Sequence, residues 1–191
     1  MQNKINDVVI VGGGTAGWMT ANLLAKVLGK SINVTLLESN DIATVGVGEA
    51  TIPPILHFNQ AIGVDEQAFM QASQATIKLG IQFENWLKPE HNYMHAFGGI
   101  GKNFPFCDFH HFWLKQQNNN AQVDNLTYWD YSLNYQAAKH NKFQKLKNIP
   151  NTNLPGIAYA YHFDAGLYAK FLTEHGKQQG VKHVIGTVKQ V

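Results

Sequence analysis

The chain has 191 residues, 45% hydrophobic and 15% charged, with a formal net charge of +2. That composition suits a folded chain with a sizeable core and excludes a disordered one. All fifteen cationic side chains are lysines and they form no basic stripe, which argues against a nucleic-acid partner. The single cysteine, Cys107, excludes an internal disulfide and fits a cytoplasmic protein. Asp7 and the glycines that follow interrupt any signal-peptide core, and no apolar run is long enough to span a bilayer.

In chain order, residues 5–11 (Ile5, Val8, Val9, Ile10, Val11) predict a strand buried on both faces, as in a parallel sheet. Residues 15–28 predict a helix with Ala16, Met19, Leu23 and Val27 on one apolar stripe and Gly29 as its stop. Residues 32–38 predict a second strand, completing a β-turn-α-β unit. The segment 46–54, GVGEATIPP, predicts a glycine loop entering a proline-started helix, and Asp65 is a cap for another helix. Residues 76–86, TIKLGIQFENW, alternate as one strand with Ile77, Leu79, Ile81 and Phe83 on one face and Lys78, Gly80, Gln82 and Glu84 on the other. Residues 87–130 are aromatic and loop-rich, with a polar loop at 115–125, and 139–156 is a connection rich in Lys, Asn and Pro. Asp164 caps a helix bearing Leu167, Phe171 and Leu172 that ends at Gly180, and 181–191 is extended. This order predicts an α/β chain in three parts: 1–50 as the first part of a nucleotide-binding domain, 51–155 as an insertion, and 156–191 as the return. The extended last segment has no later element to cover it, so an N-terminal fragment of a larger protein is expected.

Gly12, Gly14 and Gly17 spell G-x-G-x-x-G between a predicted strand and a predicted helix. The first glycine permits the tight turn, the second lets a pyrophosphate approach the backbone, and the third lets helix and strand pack closely. The helix N-terminus offers unpaired N–H groups to phosphates. Glu38 ends the second strand about 20 residues beyond the glycines, where a carboxylate accepts bonds from ribose hydroxyls. A carboxylate there repels a 2′-phosphate, and the chain has no arginine to receive one, so NADP is disfavoured. The glycines alone leave FAD and NAD both open.

Further stretches bear on that choice. VVIVGGGTAGWM (8–19), GVGEATIP (46–53), KLGIQFENW (78–86), HAFG (95–98) and YHFDAGLYAKFL (161–172) together resemble the flavin-dependent tryptophan halogenases from residue 5 to the chain end. The resemblance implies a Rossmann-like FAD-binding domain of the glutathione-reductase-like, two-dinucleotide-binding type, incomplete here and carrying an inserted substrate-side region. It implies FAD supplied reduced by a separate flavin reductase, with O2 and halide generating a hypohalous oxidant for an aromatic substrate such as tryptophan or another indole. Lys78 matches the lysine of K-x-x-I-x-F-x-N-W at which the oxidant is held, as a haloamine or by hydrogen bonding, and His95 and Phe97 match H-x-F-G residues that stack on the substrate ring. The implied cofactor set is Gly12, Gly13, Gly14, Thr15, Ala16, Gly17 and Glu38, with Gly48, Glu49 and Ala50 in a loop lining the flavin, and Val188. The family's W-x-W-x-I-P motif, its glutamate partner of the lysine and its halide-contacting Ser-Thr segment fall beyond residue 191, so an incomplete active site is expected.

Two other readings stay open on the same residues: a different FAD monooxygenase or oxidase with Lys78 merely structural, and an inactive truncated FAD-binding module. A metal centre at Asp108, His110 and His111 is not expected, because neighbours on a strand point to opposite faces. No G-x-S-x-G nucleophile turn is present.

Overall fold

The computed structural model describes residues 4–41, 48–118 and 126–190. The chain divides into two compact units, one of residues 1–77 with 160–191 and one of residues 78–159. Residues 51–77, expected with the middle region, therefore group with the first unit.

In the first unit, β1 (Asp7–Val11), α1 (Thr15–Leu28) and β2 (Asn33–Glu38) form the expected β-turn-α-β. β1 pairs parallel to β2 from Asp7 opposite Asn33 to Val11 opposite Leu37. The other side of β2 takes β8 (Lys182–Ile185), also parallel, from Thr35 opposite Lys182 to Glu38 opposite Ile185. The central position of β2 explains why Val34 and Leu36 are buried. Among the described residues β1 is paired only to β2, and Val9 is 63% and Val11 65% exposed, where burial on both faces was expected. Helix α1 lies over the face that carries Ile10, so Val8 and Ile10 are half-covered while Val9 and Val11 point to the uncovered side.

The face of α1 also differs from expectation. Ala16, Leu23 and Val27 are exposed and Met19 is half-buried; the buried residues are Trp18, Ala21 and Asn22. The cause is packing against α6 (Ala165–Gln178), where Gly176 leaves room for the Trp18 ring. Asn22 sits in that interface by donating Nδ2 to the Trp18 carbonyl at 2.8 Å and to the Leu172 carbonyl at 2.9 Å. Both bonds come from the amide nitrogen; Asn22 Oδ1 is buried with no hydrogen-bond partner among the described residues. Gly29 ends the helix at φ +53°, as expected.

The rest of this unit is a second sheet and its helices. β3 (Gly48–Ala50) runs antiparallel to β7 (Ala160–Asp164), and β4 (Thr76–Lys78) lies on β7's other side, its last residue opening the second unit. The expected glycine loop is thus a strand at 48–50, and Gly46 and Val47 lie outside the described residues. Helices α2 (Pro54–Ile62) and α3 (Glu66–Ser73) follow. The two predicted caps are present: Asp65 accepts from the Ala68 N–H and Asp164 from the Leu167 N–H, each at 2.8 Å. The core here is aromatic, with Phe69 packed edge-on against Tyr161, Phe163 and Tyr168 at ring separations of 4.9, 5.7 and 5.2 Å. Burial raises the Tyr168 phenol above its ordinary value, and its hydroxyl donates to Asn59 Oδ1 at 2.9 Å.

The second unit is built on a hairpin of β5 (Gly80–Glu84) and β6 (Asn92–Ala96), paired from Gly80 opposite Ala96 to Glu84 opposite Asn92. The single strand expected at 76–86 is therefore two, broken at Leu79. Gly80 is required there, because a Cβ would run into the backbone of His95 and Ala96. Helix α4 (Phe109–Asn118) occupies a stretch expected to be loop-rich, and α5 (Leu133–Lys139) lies where the sequence assigns no element. The expected 115–125 loop is helical through Asn118, and 119–125 lie outside the described residues. Ser132 caps α5, accepting from the Tyr135 N–H at 3.3 Å.

Candidate functional site

The glycine turn between β1 and α1 has a distinct physical role for each glycine. Gly12 sits at φ +115°, a conformation that side chains disfavour, and its N–H donates to the Leu37 carbonyl at 2.8 Å, locking the turn to β2. A Cβ on Gly17 would collide with the Gly12 carbonyl oxygen, so α1 enters against the turn only because residue 17 is glycine. A Cβ on Gly13 would occupy the space of the Glu38 carboxylate. Gly14 faces open space, and it precedes an α1 N-terminus with no side-chain cap and no acidic residue in the first turn.

The end of β2 completes this site. Glu38 is partly buried, and His183 Nε2 lies 2.5 Å from its Oε1. The Glu38 carbonyl accepts from the Gly186 N–H at 2.8 Å, and Ser39 Oγ lies 3.0 Å from Thr187 Oγ1. Val188 follows directly and is 39% exposed. The chain's own groups suit a dinucleotide: an uncapped helix N-terminus with open approach at Gly14 for a pyrophosphate, and a fixed carboxylate for ribose hydroxyls. Gly12, Gly13, Gly14, Thr15 and Ala16 are the residues that could hold the former, and Glu38 the latter. Glu49, half-buried, lies opposite Phe163 in the β3–β7 pair, between exposed Gly48 and Ala50.

The second unit carries the lysine. Lys78 is only 6% exposed, although it falls on the side of the strand that its polar neighbours mark as solvent-facing. Its Nζ lies 5.5 Å from the centre of the Phe97 ring, itself buried, at a distance typical of a cation–π contact. Removal from water lowers the Lys78 pKa from the ordinary lysine value. The break at Leu79 sets this position. The Leu79 carbonyl accepts from the Phe97 N–H at 2.8 Å and from Asn134 Nδ2 at 3.2 Å. Asn134 Nδ2 also donates to the Ala158 carbonyl at 2.5 Å, while its Oδ1 accepts from the Ala158 N–H at 3.2 Å. Asn134 carries no motif, and nothing in the local sequence marks it; only the fold brings it to Leu79, 55 residues away.

His95 and Phe97, expected as two like-facing rings, lie in different environments. β6 ends at Ala96, His95 is exposed, and Phe97 is buried beneath Lys78. His110 and His111 lie on helix α4 rather than on a strand, with ring centres 3.8 Å apart. Among the described residues no group of three or more His, Cys, Asp or Glu side chains is placed to hold a metal ion.

Parallel strand, glycine turn, helix and acid-tipped neighbouring strand define a nucleotide-binding α/β protein of the Rossmann type. A family model for tryptophan halogenase matches residues 7–191, and the chain belongs to that family. It is 38% identical to tryptophan 6-halogenase SttH of Streptomyces toxytricini over 97% of this chain and 38% of that protein. It is 35% identical to tryptophan 7-halogenase RebH of Lentzea aerocolonigenes over 100% of this chain and 38% of that one. Among solved structures, a flavin-dependent halogenase from Xanthomonas campestris superposes with a TM-score of 0.88 at 43% identity, covering 99% of this chain and 36% of that chain. The chain spans about 38% of the length of these curated relatives. No helix among the described residues is long and apolar enough to cross a membrane.

Proposed function

We propose that this chain carries the flavin-binding and lysine-bearing portion of a cytoplasmic flavin-dependent halogenase that acts on an electron-rich aromatic ring, tryptophan or another indole. The cofactor is FAD, held in a glutathione-reductase-like domain and delivered reduced by a separate flavin reductase, with chloride or bromide as co-substrate. The reading is supported above all by Lys78, a lysine withdrawn from water inside the K-x-x-I-x-F-x-N-W stretch that carries the family likeness.

Reduced FAD, when bound, supplies the electrons with which O2 and halide yield an electrophilic halogen. The chain's own residues do the rest. The glycine turn and the α1 N-terminus bind and neutralise the pyrophosphate. Glu38 orients the adenosine ribose. Lys78 Nζ, desolvated against Phe97, gives up its proton more readily than a solvated lysine, and the neutral amine offers a lone pair to the halogen.

The test is product formed per reduced flavin consumed in the full-length protein, with tryptophan and bromide supplied. Lys78→Ala is expected to abolish halogenated product while FAD binding and flavin reoxidation continue. Lys78→Arg is expected not to restore product, because a guanidinium stays protonated. Halogenation by Lys78→Ala at the wild-type yield refutes the role of the lysine and favours a different FAD oxygenase.

A further inference from the structure

We propose that His183 is a positioning residue for the nucleotide, holding the Glu38 carboxylate in the place where it receives the adenosine ribose. The inference rests on the reading that a dinucleotide binds at the glycine turn, and adds a residue that no motif marks.

β8 lies beside β2, and its register puts His183 opposite Leu36 and Ile185 opposite Glu38. From there His183 reaches Glu38 Oε1 with Nε2 at 2.5 Å. The other carboxylate oxygen, Oε2, lies over Gly13 in the space a Cβ at that position would take. The carboxylate is thus held between an imidazole and the backbone of the phosphate-binding turn. The imidazole is itself held from behind: its ring meets fully buried Trp18 of α1 edge-on, with centres 5.2 Å apart and planes at 71°. The main chain of the same strand end is fastened by the same segment, since the Gly186 N–H donates to the Glu38 carbonyl at 2.8 Å.

The physical gain is preorganisation. A glutamate has three rotatable bonds, and a free one would be ordered only as the ligand arrives, at a cost to affinity. One tied at Oε1 has met that cost in folding. The arrangement also links the α1 helix, through Trp18, to the carboxylate that reads the ribose.

FAD dissociation constants measured on the full-length protein test the proposal through a double-mutant cycle. His183→Phe keeps a ring edge against Trp18 and removes the hydrogen bond; it is expected to weaken FAD binding about tenfold, the scale of a lost bond to a charged group. His183→Gln, whose amide reaches the place of Nε2, is expected to recover most of that loss. Glu38→Ala with His183→Phe is expected to bind FAD no more weakly than Glu38→Ala alone, because His183 acts through Glu38. Should His183→Phe not fold, His183→Leu takes its place in the same cycle. Wild-type affinity in His183→Phe beside a weakened Glu38→Ala overturns the proposal, as do losses that multiply in the double variant. Wild-type FAD affinity in Glu38→Ala overturns the assignment of the turn as the nucleotide site, a different failure that takes the role of His183 with it.

Discussion

Asn134→Ala is the perturbation whose effect the structure sets most directly. Asn134 is 3% exposed, and its amide donates to the Leu79 and Ala158 carbonyls and accepts from the Ala158 N–H. After truncation Leu79 keeps its bond from the Phe97 N–H, but both main-chain groups of Ala158 lose a partner. Each buried group left unpaired costs about 1–3 kcal/mol. Ala158 is half-buried, so solvent offsets part of the loss and about 2–4 kcal/mol is expected for the two together. For a chain of this size each kcal/mol moves the melting temperature by about 2–4 °C, so the variant is expected to melt about 5–15 °C lower. Asn134→Asp preserves the shape but cannot donate when ionised, and it turns two carbonyl dipoles against a negative charge. Burial and those carbonyls raise the folded-state carboxyl pKa, so the penalty is greatest at neutral pH and shrinks as pH falls through that raised value. The assay is thermal unfolding of both variants of this chain across the acid range, with halogenated product per flavin measured for the same variants in the full-length protein. Because the amide ties down the residue next to Lys78, product yield is expected to fall further than flavin reoxidation in the folded variants. Melting of Asn134→Ala within a degree of wild type refutes the energetic reasoning, and unchanged product yield refutes the link to Lys78.

Gly17→Ala and Gly14→Ala separate packing from binding at the turn: the first drives a Cβ into the Gly12 carbonyl and is expected to destabilise by about 1–3 kcal/mol, read by denaturant unfolding. The second meets open space and is expected to lower FAD affinity more than stability; equal stability losses in both would refute the distinction. Lys78→Met probes the withdrawn amine through linkage. Its folded pKa is lowered, so wild type gains stability relative to Lys78→Met as pH rises from that lowered value towards the ordinary lysine range. A stability difference that stays constant over pH 7–11, measured by melting, contradicts the lowered value.

What was legible in the sequence was what short-range physics determines. Gly12 must take φ +115° and Gly17 must lie bare against the turn, so the βαβ unit showed itself through its glycines. Asp65 and Asp164 cap helices that begin on the next residue, and both were readable from chain position alone. What failed depended on distant partners. The apolar stripe chosen for α1 lost to a face containing Asn22, whose amide nitrogen finds the Leu172 carbonyl 150 residues on. With β1 paired only to β2 among the described residues, Val9 and Val11 stay open where hydrophobicity alone implied cover. His183 meets Glu38 across 145 residues and belongs to no local pattern.

Lys78 shows how the two kinds of information combine. Alternation along 76–86 put it on a polar face, and from that pattern alone a solvated lysine follows. The strand instead breaks at Leu79, whose carbonyl is taken by Phe97 and Asn134, and the lysine ends on the Phe97 ring instead of in water. Desolvation is the cause of its lowered pKa, so the break, the burial and the readiness of the amine to lose its proton are one consequence of the same few contacts. A motif can mark which lysine matters. The burial that lowers the amine's pKa is supplied by the fold, and Asn134, which holds the Leu79 carbonyl beside it, is where that dependence can be measured.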